Sequence, residues 1–131
     1  MTALSNRLEL PRNAYVIYCA GAQLLVYPRT PATVVRIEGE IDASNAEFIG
    51  RAIRRFALKT PLIVDASHLD YVGSAGLQVL LILSDQRRQA RLHCTVVGGP
   101  ALHRLTRVVT DHGLPLADSV TDALQLLSAT G

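Results

Sequence analysis

One short stretch gathers most of the side chains that could do chemistry. DASHLDYVGSAGL, residues 65–77, holds Asp65, Asp70, His68, Ser67 and Ser74. Ser74 with His68 and Asp65 or Asp70 has the residue types of a hydrolytic triad, in which an imidazole takes the hydroxyl proton and a carboxylate orients the imidazole. The order of residues argues against that chemistry. GSAG, Gly73 to Gly76, is not the G-x-S-x-G elbow that lifts a nucleophile out of a sheet, and nothing in the spacing brings His68 to Ser74. No catalytic residue is assigned. A serine among small neighbours can instead accept a phosphate, which adds roughly two negative charges and three acceptor oxygens to an open patch. Ser74 is expected at an N-cap-like position, where its hydroxyl accepts from first-turn N–H groups. A phosphate there faces the positive end of the helix dipole, so it changes the surface without unfolding the helix. The plainer alternative is that Ser74 only caps the helix and the glycines permit a tight turn.

The remaining reactive side chains are scattered. His68, His93, Cys94, His103 and His112 show no paired ligand spacing on one face, so no metal and no cofactor is assigned. Cys19 and Cys94 read as reduced, buried thiols in a chain that needs no staple; redox control through the two is the alternative.

The elements that would position Ser74 follow from periodicity. Residues 1–12 are polar without a period and read as a flexible N-terminal arm, with the folded domain over 13–131. Ala14 to Pro28 is rich in Val, Ile, Leu and Tyr and breaks at Ala20-Gly21-Ala22, giving two short strands or one bent one. Thr33 to Ile41 alternates as a half-buried strand. Ser44 and Glu47 form an S-x-x-E capping box that opens an amphipathic helix carrying Ala46, Ile49, Ile53 and Phe56. Leu62 to Ala66 is a strand covered on both faces, and a helix follows from about Ala75 to Arg88. That helix has too many apolar residues for one face, and Val79, Ile82 and Leu83 are compatible with a partner surface. A strand over Leu92 to Val97, a helix over Ala101 to His112 ending at Gly113, and a last helix capped by Ser119 and Asp122 complete the chain. The order implies an α/β fold: a mixed central sheet with helices packed on it through right-handed crossovers.

Composition agrees with one domain and narrows the function classes. At 131 residues and 49% hydrophobic content the chain can bury about two thirds of its unfolded surface. A net charge of +2 from 13 basic and 11 acidic residues, with no basic run and 5% aromatics, disfavours direct nucleic-acid binding. MTALSNRLELPRNAYV has no signal-peptide pattern, and no window reaches the roughly 18 apolar residues of a membrane span, so a cytoplasmic protein without membrane contact is expected.

Two segments carry a resemblance. VVRIEGEIDASN, Val34 to Asn45, is an apolar strand ending in a Gly-acid-aliphatic-Asp turn, and LIVDASHLDYVGSAGL, Leu62 to Leu77, is an apolar strand followed by a serine-glycine loop. From about Thr33 to Leu127 the chain resembles the STAS domain family of bacterial anti-anti-sigma factors, the anti-sigma factor antagonists, in which that loop reads Asp-Ser-Ser-Gly-Leu. The resemblance implies a protein that binds a serine-kinase anti-sigma factor, regulates transcription, and is released when that kinase phosphorylates the first serine of the motif, here Ser74. It further implies a docking face made by the turn at Asp42, Ala43 and Ser44 together with the loop and helix start at Tyr71, Gly73, Ser74, Ala75, Gly76 and Leu77. Gly73 and Ala75 depart from the motif, which has aspartate and serine there. A STAS binding module without a phosphoswitch is therefore the second reading, and a weak homodimer stays open.

Overall fold

The computed structural model of the chain describes residues 14–28, 31–57, 59–109 and 112–130; the expected arm at residues 1–12 lies outside the described residues. The break at Ala20-Gly21 makes a hairpin. β1 (Tyr15–Cys19) and β2 (Ala22–Tyr27) are antiparallel, Cys19 opposite Ala22, and Gly21 takes the positive φ of +87° that the two-residue turn requires. β2 then pairs antiparallel with β3 (Thr33–Ile41). At the same corner Gly39 has φ +98°, and a Cβ there would lie 2.5 Å from the Gly21 carbonyl oxygen, so the two glycines let the hairpin tip close on β3.

From β3 onward the pairing is parallel. β4 (Leu62–Asp65) runs beside the first half of β3, β6 (Cys94–Val97) beside β4, and β7 (Leu116–Ala117) beside β6. β5 (Leu69–Val72) pairs with the second half of β3, Gly39 to Ile41, across a register shift between Gly39 and Glu40. The order is β1-β2-β3-β4-β6-β7 with β5 beside β3, a mixed α/β sheet as the element order implied. β5 and β7 were not anticipated: strands of four and two residues are too short to show a period, and LDYV reads equally as loop.

Alternation along the strands sends Leu24, Val26, Val35, Ile37 and Ile41 to one face, where they meet Ile49 and Ile53 of α1 (Ala46–Phe56), Leu77, Leu80 and Leu83 of α2 (Ser74–Gln89), and Leu102 of α3 (Pro100–Val108). Each such fully buried aliphatic side chain contributes about 1.5–3 kcal/mol. α4 (Val120–Thr130) covers part of the other face through Ala123 against Val34, Ile63 and Val97. The Ser119 hydroxyl accepts the Asp122 N–H at 3.0 Å, the expected cap.

α2 is apolar on more than one side because it packs on more than one neighbour. Leu83 is core, and Val79 sits against Gly50 of α1, where an added Cβ would approach Val79 Cγ1 to 2.9 Å. Of the three residues read as a partner surface, Ile82 is the exposed one. Arg87 is buried at the far end of α2 and donates to the carbonyls of Ala57 (2.5 Å), His93 (3.2 Å) and Thr60, which ties the α1 and β6 termini together. α3 ends at Val108 rather than His112, with Val109 at extended dihedrals (φ −97°, ψ 99°), since adjacent β-branched residues are weak helix formers. β6 likewise begins at Cys94, two residues after the expected start. No helix among the described residues is long and apolar enough to cross a membrane.

Candidate functional site

β3 delivers the chain to Asp42, whose Oδ1 accepts from the Ser44 N–H (2.9 Å) and the Ser44 hydroxyl (2.5 Å). These donors hold the Asp42 carboxyl below the usual range, the hydroxyl contributing most. Ser44 is thus used by the turn and is not the capping box expected with Glu47. The N-cap of α1 is Asn45, one residue later, and its side chain makes no helix-cap bond. Buried Asn45 instead works outward. Its amide donates to the carbonyls of Ala20 (2.6 Å) and Glu40 (2.9 Å), and its Oδ1 accepts the Asp42 N–H (3.0 Å). One side chain joins the β1–β2 hairpin tip, the end of β3 and the Asp42–Ser44 turn. Sequence reading missed it, although an asparagine following Asp-Ala-Ser in a turn is a signal for local side-chain bonding.

β5 brings the second half of the site to the same edge. The Gly73 N–H donates to the Ile41 carbonyl at 2.9 Å, and the Gly73 carbonyl accepts from Gly76 (3.0 Å) and Leu77 (3.1 Å) to start α2. Gly73 (φ −92°, ψ −179°) is therefore the N-cap, and Ser74, expected there, is the first helical residue with its side chain exposed. Glycine and serine both favour N-caps, so the order Gly-Ser left the choice of cap to the fold. Tyr71 leans over Gly73: a Cβ at position 73 would fall 2.9 Å from the Tyr71 hydroxyl oxygen. The Tyr71 ring thus fills the space a side chain at position 73 would need. Gly76 is buried for a similar reason, since its Cβ would meet Val72 Cγ2 at 2.7 Å and Ile41 Cγ2 at 2.8 Å. Gly76 and Leu77 accordingly seat the helix on the sheet and offer no side chain to a partner, Ala75 is half-buried, and Ala43, Ser44, Tyr71 and Ser74 are exposed.

A hollow of about 260 Å³ opens beside Ser74 between Tyr71, Gly73, Ala101, Arg104 and Leu105. Arg104 comes from α3, and no sequence spacing points to its sharing a hollow with Ser74. A larger, open depression of about 560 Å³ lies at the hairpin, lined by Tyr18, Cys19, Gln23 and Glu38 among others. Burial pushes the Cys19 thiol up, so that depression holds no activated nucleophile.

The other candidates lie apart. His68 Nε2 is 3.8 Å from Asp65 Oδ2, and Asp65 Oδ1 accepts from the Ser67 N–H (3.0 Å) and hydroxyl (2.5 Å), so this carboxylate organises its own loop. Cys19 and Cys94 are free thiols on β1 and β6, four inter-strand steps apart in the sheet order. At about 4.8 Å per step the gap is about 19 Å, against the roughly 7 Å limit of a disulfide, so the pair cannot form one within the chain. Burial pushes the Cys94 thiol up to about 11, with Arg87 pulling weakly the other way. An intrachain bridge between Cys19 and Cys94 is therefore not a route to redox control.

Comparison with known proteins places this geometry. The chain is similar to Osmosensory protein A of Mycobacterium tuberculosis, 40% identical over 124 residues covering 90% of this chain and 78% of that protein. In structure it is similar to an anti-sigma factor antagonist from Mycobacterium paratuberculosis, with a TM-score of 0.68, 29% identity, and 82% of this chain and 94% of that one covered. It shares the fold of the anti-sigma factor antagonist SpoIIAA in its unphosphorylated form, at a TM-score of 0.66, 16% identity, and 81% and 96% of the two chains. A STAS domain model matches residues 22–123, from β2 to the first turn of α4, and on that match the chain belongs to the STAS domain family.

Proposed function

We propose that this protein is an anti-sigma factor antagonist of the cytoplasm, which docks on a kinase-type anti-sigma factor through the edge formed by Asp42–Ser44 and the start of α2, and is released by phosphorylation of Ser74. The observation that carries the reading is the exposed Ser74 hydroxyl on the first turn of α2, at the same sheet edge as the Asp42–Ser44 turn. Likeness to the mycobacterial antagonist over most of both chains supports the binding role. A phosphate on Ser74 suits the helix start, so it would act on the partner and not on the fold. No residue of the chain needs to be catalytic, because the partner supplies the kinase. The name of the Mycobacterium tuberculosis relative makes osmotic stress the input to test. A second reading, a STAS binding module without a phosphoswitch, is favoured by one specific observation: Gly73 and Ala75 flank Ser74 where the motif has aspartate and serine.

The test is a pull-down from native lysate with wild type and Ser74→Glu, reading partners and phosphosites by mass spectrometry. Recovery of an anti-sigma factor of the kinase type by wild type alone, with phosphate on Ser74, is the expected result. Equal recovery by both forms without phosphate removes the switch and leaves the binding module. Recovery of no anti-sigma factor by either form overturns the role itself.

A further inference from the structure

We infer that Arg104 is the built-in counter-cation of a phosphate on Ser74, an inference that rests on the phosphoswitch reading and names its regulating residue. Ser74 and Arg104 line one hollow of about 260 Å³, from the first turn of α2 and the middle of α3. Tyr71, Gly73 and Ala101 line the same hollow. Arg104 is exposed and makes no ion pair among the described residues, so its guanidinium is available. Of the other exposed arginines, Arg51 pairs with Glu47 and Arg88 with Asp85, and Arg55, Arg91 and Arg107, which make no ion pair among the described residues, do not line this hollow.

The chemistry fits both states of the serine. With a bare hydroxyl the hollow holds a neutral group and a hydrated guanidinium. With a phosphate it holds a dianion whose three oxygens can take the two parallel N–H donors of an arginine, the geometry for which arginine is suited. Gly73 matters here as well. An aspartate at that position would set a negative charge beside the phosphate, whereas glycine leaves Arg104 to act unopposed from the loop. Arg104 therefore favours the dianionic phosphate, holds it across the hollow against α3, and fixes the direction in which the new charge is presented to a partner. It is a positioning residue and touches no reacting atom of this protein.

The test uses the full chain with phosphoserine incorporated at position 74 during translation, so that no kinase is needed. The phosphate is titrated by 31P NMR in the wild-type background and in Arg104→Ala, Arg104→Lys and Arg107→Ala. A cation near the phosphate lowers its second pKa from about 6, so Arg104→Ala is expected to raise it by about half a unit at low salt. Arg104→Lys should keep most of the shift, Arg107→Ala should leave the value unchanged, and molar salt should abolish the Arg104 effect, because the screening length falls to about 3 Å. A pKa that is the same in Arg104→Ala and wild type, with both proteins folded by circular dichroism, overturns the pairing. That outcome would not touch the phosphoswitch, which the partner-binding comparison with Ser74→Glu decides separately.

Discussion

Removal of the Asn45 side chain tests how the Asp42–Ser44 turn is held. Asn45→Ala deletes two donations, to Ala20 and Glu40, and one acceptance, from the Asp42 N–H. Each buried or half-buried bond of this kind is worth about 1 kcal/mol net, so the three together give about 3 kcal/mol. For a chain of 131 residues that corresponds to a thermal midpoint about 10 °C lower. Urea unfolding followed by circular dichroism measures the loss, and amide exchange at Asp42 locates it. Asn45→Asp sharpens the argument. It keeps an acceptor for Asp42 but aims a carboxylate at two carbonyl oxygens, so at pH 7 it should be no more stable than Asn45→Ala. Below about pH 4 the protonated carboxyl can donate once, and its deficit relative to wild type should narrow. An Asn45→Ala protein within about 0.5 kcal/mol of wild type, with an unchanged urea slope, would refute the assignment of the corner to this side chain.

Other perturbations have expected signs. Gly76→Ala sets overpacking of about 1–3 kcal/mol against Val72 and Ile41 in opposition to a helix-propensity gain of about 1 kcal/mol, so a net loss of about 1 kcal/mol and weaker partner binding are expected in urea and binding titrations; a stabilised variant would refute the close packing. With its pKa at about 11, Cys94 is ionised in about one molecule per thousand at pH 8, and its labelling by iodoacetamide should be on the order of a hundredfold slower than that of a free thiol; equal rates would contradict its burial. His93 is held below the ordinary histidine value by burial and then by Arg87. The native state therefore binds fewer protons than the unfolded chain below about pH 6.5, and stability falls as pH drops through that range. His93→Gln should show a shallower fall in urea midpoint between pH 7.5 and 5.5, and an identical fall would show that His93 does not contribute.

Much of the frame was legible because it rests on periodicity. The hairpin break at Ala20-Gly21, the strand from Thr33 to Ile41 and the amphipathic helix after it depend on local spacing, which a single sequence carries. The errors fall where two residues of similar preference compete. The S-x-x-E spacing makes Ser44 the α1 cap, but Asp42 takes its hydroxyl and the helix starts behind Asn45. Ser74 was read as N-cap where Gly73 serves, because the cap is decided by the Gly73 N–H reaching Ile41 on β3, a contact between distant segments. Leu83 was offered to a partner because an all-round apolar helix does not say how many neighbours it has. Arg104 was invisible for a different reason: nothing local marks it, and the turn of α3 over β5 alone brings it to the hollow.

One edge of β3 is shared between two neighbours, β4 along its first residues and β5 along its last, with the register broken between Gly39 and Glu40, while β2 pairs with the other edge. Because the hydrogen bonds of that divided edge close on different strands, the β5 contacts can open while the β4 contacts stay shut. Native-state amide exchange should then split within one strand, with slow exchange at Val35 and faster exchange at Ile41, whereas the Glu40 N–H is held by the Gly21 carbonyl on the other edge. A sheet so divided can loosen at the end that carries the Ser74 loop while its β4 and β6 pairings hold.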